Sequence, residues 1–108
     1  FVIITNVVGL MFTEGEIRKV STILNALGNP TRFRIVTLIN ETKRPLHIKA
    51  VAQMLKMNYA AIYRHVKVLQ ESGLVGIYEV GRSRVLYSVD EELMKNIVDF
   101  AKKIIQKK

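Results

Sequence analysis

A chain of 108 residues, 49% of them hydrophobic, has room for one modest core and leaves apolar surface that a partner copy can cover. It contains no cysteine, which excludes disulfides, thiolate metal sites and thiol redox chemistry and makes the cytoplasm the default compartment. The net charge of +8 is concentrated in residues 30–89, where ten basic residues stand against three acidic ones, so the middle of the chain suits either a polyanion partner or a solvated basic surface.

Residues 1–12, FVIITNVVGLMF, are apolar but far short of the ~20 residues that cross a bilayer, and they lack the basic flank of a signal peptide. They are an N-terminal arm or the remnant of a truncation, and no membrane span is expected. Thr13 and Glu16 have capping-box spacing, with Phe12 and Ile17 set as a hydrophobic staple, so a helix starts here. Ile17, Val20, Leu24 and Leu27 recur at helical spacing up to Gly28, which suits the left-handed residue just past a helix end. Asn29 and Pro30 then cap and open a second helix, running to about Asn40 with Phe33, Val36 and Ile39 turned inward.

Residues 41–45, ETKRP, read as a loop and residues 46–48 as one short strand. A brief helix carrying Val51, Ala52 and Leu55 follows, although Lys49 is a poor cap for it. Asn58 caps a further helix whose stripe of Ile62, Val66 and Leu69 ends at Gly73. LVGIYEV and RVLYSV, rich in β-branched and aromatic residues, flank Gly81, Arg82 and Ser83 as a hairpin with a basic tip. Asp90 or Ser88 caps a last helix, with Glu91 and Glu92 in its first turn and Lys102, Lys103, Lys107 and Lys108 toward its end, the charge order that complements the helix dipole. Leu93, Ile97, Phe100 and Ile104 share one face of it. The prediction is a mainly α fold with a small β-hairpin wing (α+β), in five helices.

Helix, helix, short strand, helix, tight turn, helix, hairpin, helix is the order of a winged helix-turn-helix. ALGNPTRFRIVTLI at 26–39, AVAQMLKMNYAAIYRHVKVLQESGLV at 50–75 and IYEVGRSRVLYSV at 77–89 together resemble the ArsR-like family of winged helix-turn-helix transcriptional regulators, over most of residues 16–105. The resemblance implies a winged helix-turn-helix DNA-binding domain at 13–108. It also implies a homodimer paired through the first and last helices, here Ile17, Val20, Leu24, Leu93, Ile97, Phe100 and Ile104. Two reading helices roughly 34 Å apart would then face a pseudo-palindromic operator on double-stranded DNA. Family members are more often repressors.

Residues 59–70 support DNA without the family. A major groove about 12 Å wide admits one helix, which needs an apolar stripe on its own domain and a polar face outward. Ile62, Val66 and Leu69 supply the stripe, leaving Tyr59, Ala60, Tyr63, Arg64 and Lys67 on other faces. Arg64 can pair bidentately with a guanine edge, while Lys67 suits phosphate. Tyr59 and Tyr63 either touch thymine methyls and phosphates or pack within the domain. The resemblance implies base contacts at Tyr59, Ala60, Tyr63 and Arg64, although tyrosines stand where smaller or amide side chains are usual. Lys56 in the turn offers a phosphate contact, and Asn58 belongs to the same DNA-facing set. In the wing, Arg82 and Arg84 flank Ser83 and alternate, so both can point to one side, toward backbone or minor groove, or simply keep a turn soluble. Arg32 and Arg34 suit phosphate or an internal partner equally.

Many family members sense metals through cysteine pairs or Asp/His clusters, and neither exists here. His47 and His65 alone make a poor metal site, so no metal and no cofactor are expected, and the small-molecule effector is unknown. No paired-carboxylate, nucleophile-base or phosphate-loop arrangement points to an enzyme. Two other readings keep the fold: a winged helix used for protein contact or dimerisation, and non-specific chromosomal DNA binding.

Overall fold

The computed structural model describes residues 11–107. All of the predicted arm except Met11 and Phe12 lies outside these residues. Among the described residues, five helices and a three-stranded antiparallel sheet follow in the order α1 (Glu14–Leu27), α2 (Pro30–Thr42), β1 (Leu46–His47), α3 (Ile48–Leu55), α4 (Tyr59–Glu71), β2 (Val75–Val80), β3 (Ser83–Ser88) and α5 (Glu91–Gln106). The architecture is the expected winged helix-turn-helix, and β1 joins the wing to make the sheet order β1-β3-β2.

Helix starts follow the caps. The Glu16 backbone N–H donates to Thr13 Oγ1 at 3.1 Å and the Thr13 N–H to Glu16 Oε1 at 2.9 Å, closing the capping box. Asn29, Asn58 and Asp90 each accept an N–H from the third residue on, and Pro30 opens α2 where a missing donor does no harm. Asp90, not Ser88, caps α5. The weakly signalled α3 starts at Ile48 after His47, which makes no side-chain cap bond.

The ends teach more. Gly28 was expected to be left-handed, but its φ is −80°, and its N–H reaches back only three residues, to the Asn25 carbonyl at 3.2 Å. Asn29 is already extended as the next cap, so the chain has no residue to spare for a left-handed turn. The left-handed closures lie elsewhere. Gly73 (φ +90°) ends α4, with its N–H on the Gln70 carbonyl and the Leu74 N–H on the Leu69 carbonyl, a Schellman motif. Lys56 (φ +56°) ends α3 with the same pair of bonds, to Gln53 at 3.2 Å and from Met57 to Ala52 at 3.0 Å. Lys43 (φ +56°) ends α2 two residues beyond the predicted stop, inside the expected loop.

One core joins these elements. Ile35, Val36 and Ile39 of α2, Ile48 and Val51 of α3, Ile62, Val66 and Leu69 of α4, Leu86 of β3 and Met94 of α5 are buried together. Phe33, expected inward, is only half-buried, while Ile35 takes the core position. Each buried aliphatic chain contributes about 1.5–3 kcal/mol. Truncating Ile62 to alanine would cost about 2–5 kcal/mol and loosen α4, because no neighbour can refill the space fully. The stripe of α4 is thus spent on the domain, and its remaining faces are free to serve outside it.

Candidate nucleic-acid interface

The turn Lys56-Met57-Asn58 sets the crossing of α3 and α4. Met57 packs against the core and the Asn58 Oδ1 accepts from the Ala61 N–H at 2.8 Å, so the cap carboxamide is committed through its oxygen. The Lys56 side chain is left exposed on a left-handed residue.

On the first two turns of α4, the rings of Tyr59 and Tyr63 stack with centroids 6.1 Å apart and planes within 11°. Tyr63 leans on the core while Tyr59 stays 37% exposed. Packing within the domain, one of the two uses foreseen for the pair, is thus taken by Tyr63, while part of the Tyr59 ring stays at the surface. Arg84 of β3 closes the group: its guanidinium lies 4.7 Å over the Tyr63 ring, and Nη1 donates to Tyr59 Oη at 3.3 Å. That hydrogen bond, with the tyrosine rings and Glu79 nearby, raises the already high pKa of Arg84, so it is charged at any physiological pH. Lys67 Nζ stands 6.0 Å from the centroid of the Tyr63 ring. Ala60 and Arg64 are exposed on α4, and among the described residues neither Arg64 nor Lys67 takes part in an ion pair.

The wing turns at Gly81 (φ +61°) and Arg82, between the paired residues Val80 and Ser83. A left-handed first turn residue is one glycine adopts freely. Arg82 therefore sits in the turn itself and Arg84 in the strand, rather than on a simple alternating ribbon. Arg82, Ser83 and Arg84 nonetheless line one cleft with Tyr59, His47 and Lys49. Nothing in the sequence pairs Arg84 with Tyr59, 25 residues away; the contact comes from how the ribbon folds back on α4.

Behind the surface, Arg32 has an internal role. Its Nε donates to the Ala26 carbonyl at 2.7 Å and its Nη1 to His65 Nδ1 at 3.2 Å, tying the end of α1 to α4. Burial first, then the charges of Arg32 and Arg64, lower the His65 pKa below 6.5, which keeps the ring neutral and able to accept. Arg34 is exposed. Among the described residues no three His, Asp or Glu side chains gather as a metal site, and no helix is long and apolar enough to cross a membrane.

The helices at the two ends present a different surface. Val20 (48% exposed), Leu24 (57%), Phe100 (61%) and Ile104 (58%) lie uncovered, as does Leu93, while Ile17 is half-buried and Ile97 packs on the core. Ile105, not foreseen, is more exposed than any of these.

Residues 27–76 match the family of helix-turn-helix domains. An uncharacterized helix-turn-helix-type transcriptional regulator of Methanocaldococcus jannaschii is 27% identical over 84 residues, 68% of this chain and 86% of that protein. HlyU from Vibrio cholerae superposes with a TM-score of 0.73 at 19% identity, over 87% of this chain and all of that one. The homodimeric winged helix-turn-helix DNA-binding domain Mb0332 of Mycobacterium bovis, a possible ArsR-family regulator, gives 0.73 at 20% identity, over 83% of this chain and 84% of that one. A transcriptional regulator homologue from Pyrococcus horikoshii gives 0.65 at 26% identity, over 82% and 94%. The helix-turn-helix at 27–76, with the hairpin and helix that follow, gives this chain the winged helix-turn-helix fold, which it shares with solved ArsR-family regulators.

Proposed function

We propose that the protein is a homodimeric, sequence-specific regulator of transcription, acting as a repressor in the cytoplasm on a pseudo-palindromic double-stranded operator. The observation that carries this reading is the continuity of α4 with the wing: Arg84, with Glu79 3.9 Å from its Nε, lies on the Tyr59–Tyr63 stack, which sets the wing that carries Arg82 and Arg84 against the helix that carries Arg64 and Lys67. In the reading helix Arg64 meets a guanine edge, Ala60 and the two tyrosine rings meet base edges and thymine methyls, and Lys67 meets phosphate. Lys56 and the Asn58 amide nitrogen follow the backbone beside the turn. Arg82, Ser83 and Arg84 take the backbone or minor groove flanking the site. The exposed faces of α1 and α5, with Val20, Leu24, Leu93, Phe100 and Ile104, join two copies, and Ile17 and Ile97 back them; their exposed apolar side chains support this pairing, and the homodimeric state of the Mycobacterium bovis domain supports a dimer.

Selection of sites from random duplexes, with wild type and Arg64→Ala, tests the assignment. The variant is expected to lose about 1–3 kcal/mol and to relax preference at one position per half-site. An equal loss on every sequence would move Arg64 to phosphate. Indifference of the wild type to all duplexes at low salt would overturn the DNA reading itself.

A further inference from the structure

At the base of the wing, away from its tip, a cavity of about 700 Å³ opens where β1 leaves β3. Its size lies within the roughly 300–1,000 Å³ of small-molecule sites. Ile39 at the end of α2, Pro45 before β1 and Met94 of α5 give it an apolar lining. Tyr78 and Tyr87 supply an aromatic wall, their centroids 5.6 Å apart and their planes tilted by 45°. That wall depends on Gly76, paired with Tyr87 across the ribbon: any Cβ at residue 76 would collide with the Tyr87 ring. A glycine in mid-strand is thus what lets the ring lie across the sheet.

Two further features define an occupant. Ser88 lines the cavity, and its Oγ is buried with no hydrogen-bond partner among the described residues, a state that favours a ligand atom able to satisfy it. Around the rim, Lys43 and Arg44 oppose Glu91 and Glu92, and Lys95 is already held by Asp99 at 3.1 Å. These charges cancel in a chain of net +8, so the cavity offers an anion no more than the rest of the surface does. A flat ring system without net charge meets all of these conditions, provided it carries one polar group.

We propose that this cavity binds a flat, uncharged aromatic molecule that stacks on Tyr78 and Tyr87 and places one hydrogen-bonding group on Ser88, and that its occupancy changes the affinity of α4 and the wing for DNA. The coupling has a physical route. Tyr87 and Ser88 sit on the same short strand as Arg84, whose guanidinium rests on Tyr63 and Tyr59, so a molecule wedged at the base of the ribbon works on the contact that holds the wing to α4. This second half rests on the DNA reading above, and the first half does not.

Phenylnaphthylamine, neutral and fluorescent in apolar surroundings, is the ligand to titrate into the protein, with its sulfonated relative anilinonaphthalene sulfonate alongside. Saturable binding at one molecule per chain is expected, with the neutral compound bound about tenfold more tightly. Adhesion to a +8 surface would give the opposite order. Amide shifts in nitrogen-edited NMR spectra should gather at Tyr78, Tyr87, Ser88 and Met94; shifts at Leu24, Phe100 and Ile104 instead would overturn the site. Tyr87→Ala should weaken binding about tenfold, with circular dichroism confirming that it folds. Ser88→Ala, which removes an unsatisfied hydroxyl and leaves stability intact, should weaken it by a few-fold; unchanged affinity would remove Ser88 from the site. Titrating duplex DNA with and without phenylnaphthylamine should change the DNA affinity by about fivefold or more. Equal affinities would overturn the coupling, whereas absence of DNA binding by the free protein would count against the DNA reading and leave the cavity result standing.

Discussion

The chain leaves two large parts of itself uncovered, and they are unlike. On α4 and the wing, polar and aromatic side chains are organised with one another before any partner arrives: tyrosine on tyrosine, arginine across both, lysine beyond. On α1 and α5 the exposed side chains are Val20, Leu24, Phe100 and Ile104, which have no such order among themselves and whose exposure to water is unfavourable. A surface that resembles a half-finished core suits a second protein surface, and one that resembles a rack of cations suits phosphates. Under the proposed function, the ends of the chain and its middle divide the labour according to the chemistry each leaves outside.

The widest test of that division attacks the apolar side. Leu24→Glu with Phe100→Glu should give monomers by sedimentation, and affinity for a two-half-site duplex should fall roughly a hundredfold or more as the second half-site becomes a separate event. A dimer that persists would break the comparison. A smaller effect is expected from Lys67→Ala, which should weaken all sequences alike and lower the slope of log affinity against log salt by about 1. Lys56→Gly separates fold from charge within one residue. Relief of the left-handed lysine should stabilise the domain by about 0.5–1 kcal/mol in denaturant unfolding, while the loss of its cation weakens DNA binding. The smallest effect concerns pH. Because the folded protein holds His65 below 6.5, the unfolded chain takes up the proton first on acidification. The stability due to neutral His65 is thus complete above about pH 6.5 and declines as pH falls toward the lowered folded value. His65→Gln, which keeps an acceptor for Arg32, should flatten the unfolding midpoint over that window.

Much of this was legible because it is local. Thr13, Asn29, Asn58 and Asp90 announce helix starts through bonds that span three residues, and the stripe of Ile62, Val66 and Leu69 needs only helical periodicity. The faces of α1 and α5 were readable for the same reason. What stayed hidden depends on residues that meet only in three dimensions. Gly28 looked like a left-handed stop until the immediate Asn29 cap removed the room for one. Arg84 and Tyr59 are joined by the fold of the ribbon, and Ile35 displaced Phe33 from the core through packing that periodicity alone does not rank. The cavity had one local sign, a glycine in the middle of a β-strand, but its meaning needed the pairing of Gly76 with Tyr87.

The clasp between Arg84 and the two tyrosines carries a thermodynamic consequence. Side chains that must each be immobilised on complex formation lose rotamer freedom at that moment, and here three of them surrender it during folding instead. Calorimetry with a cognate duplex should then show the modest heat-capacity change of rigid docking rather than that of coupled folding, and association rates should be governed by the long-range field of the cations.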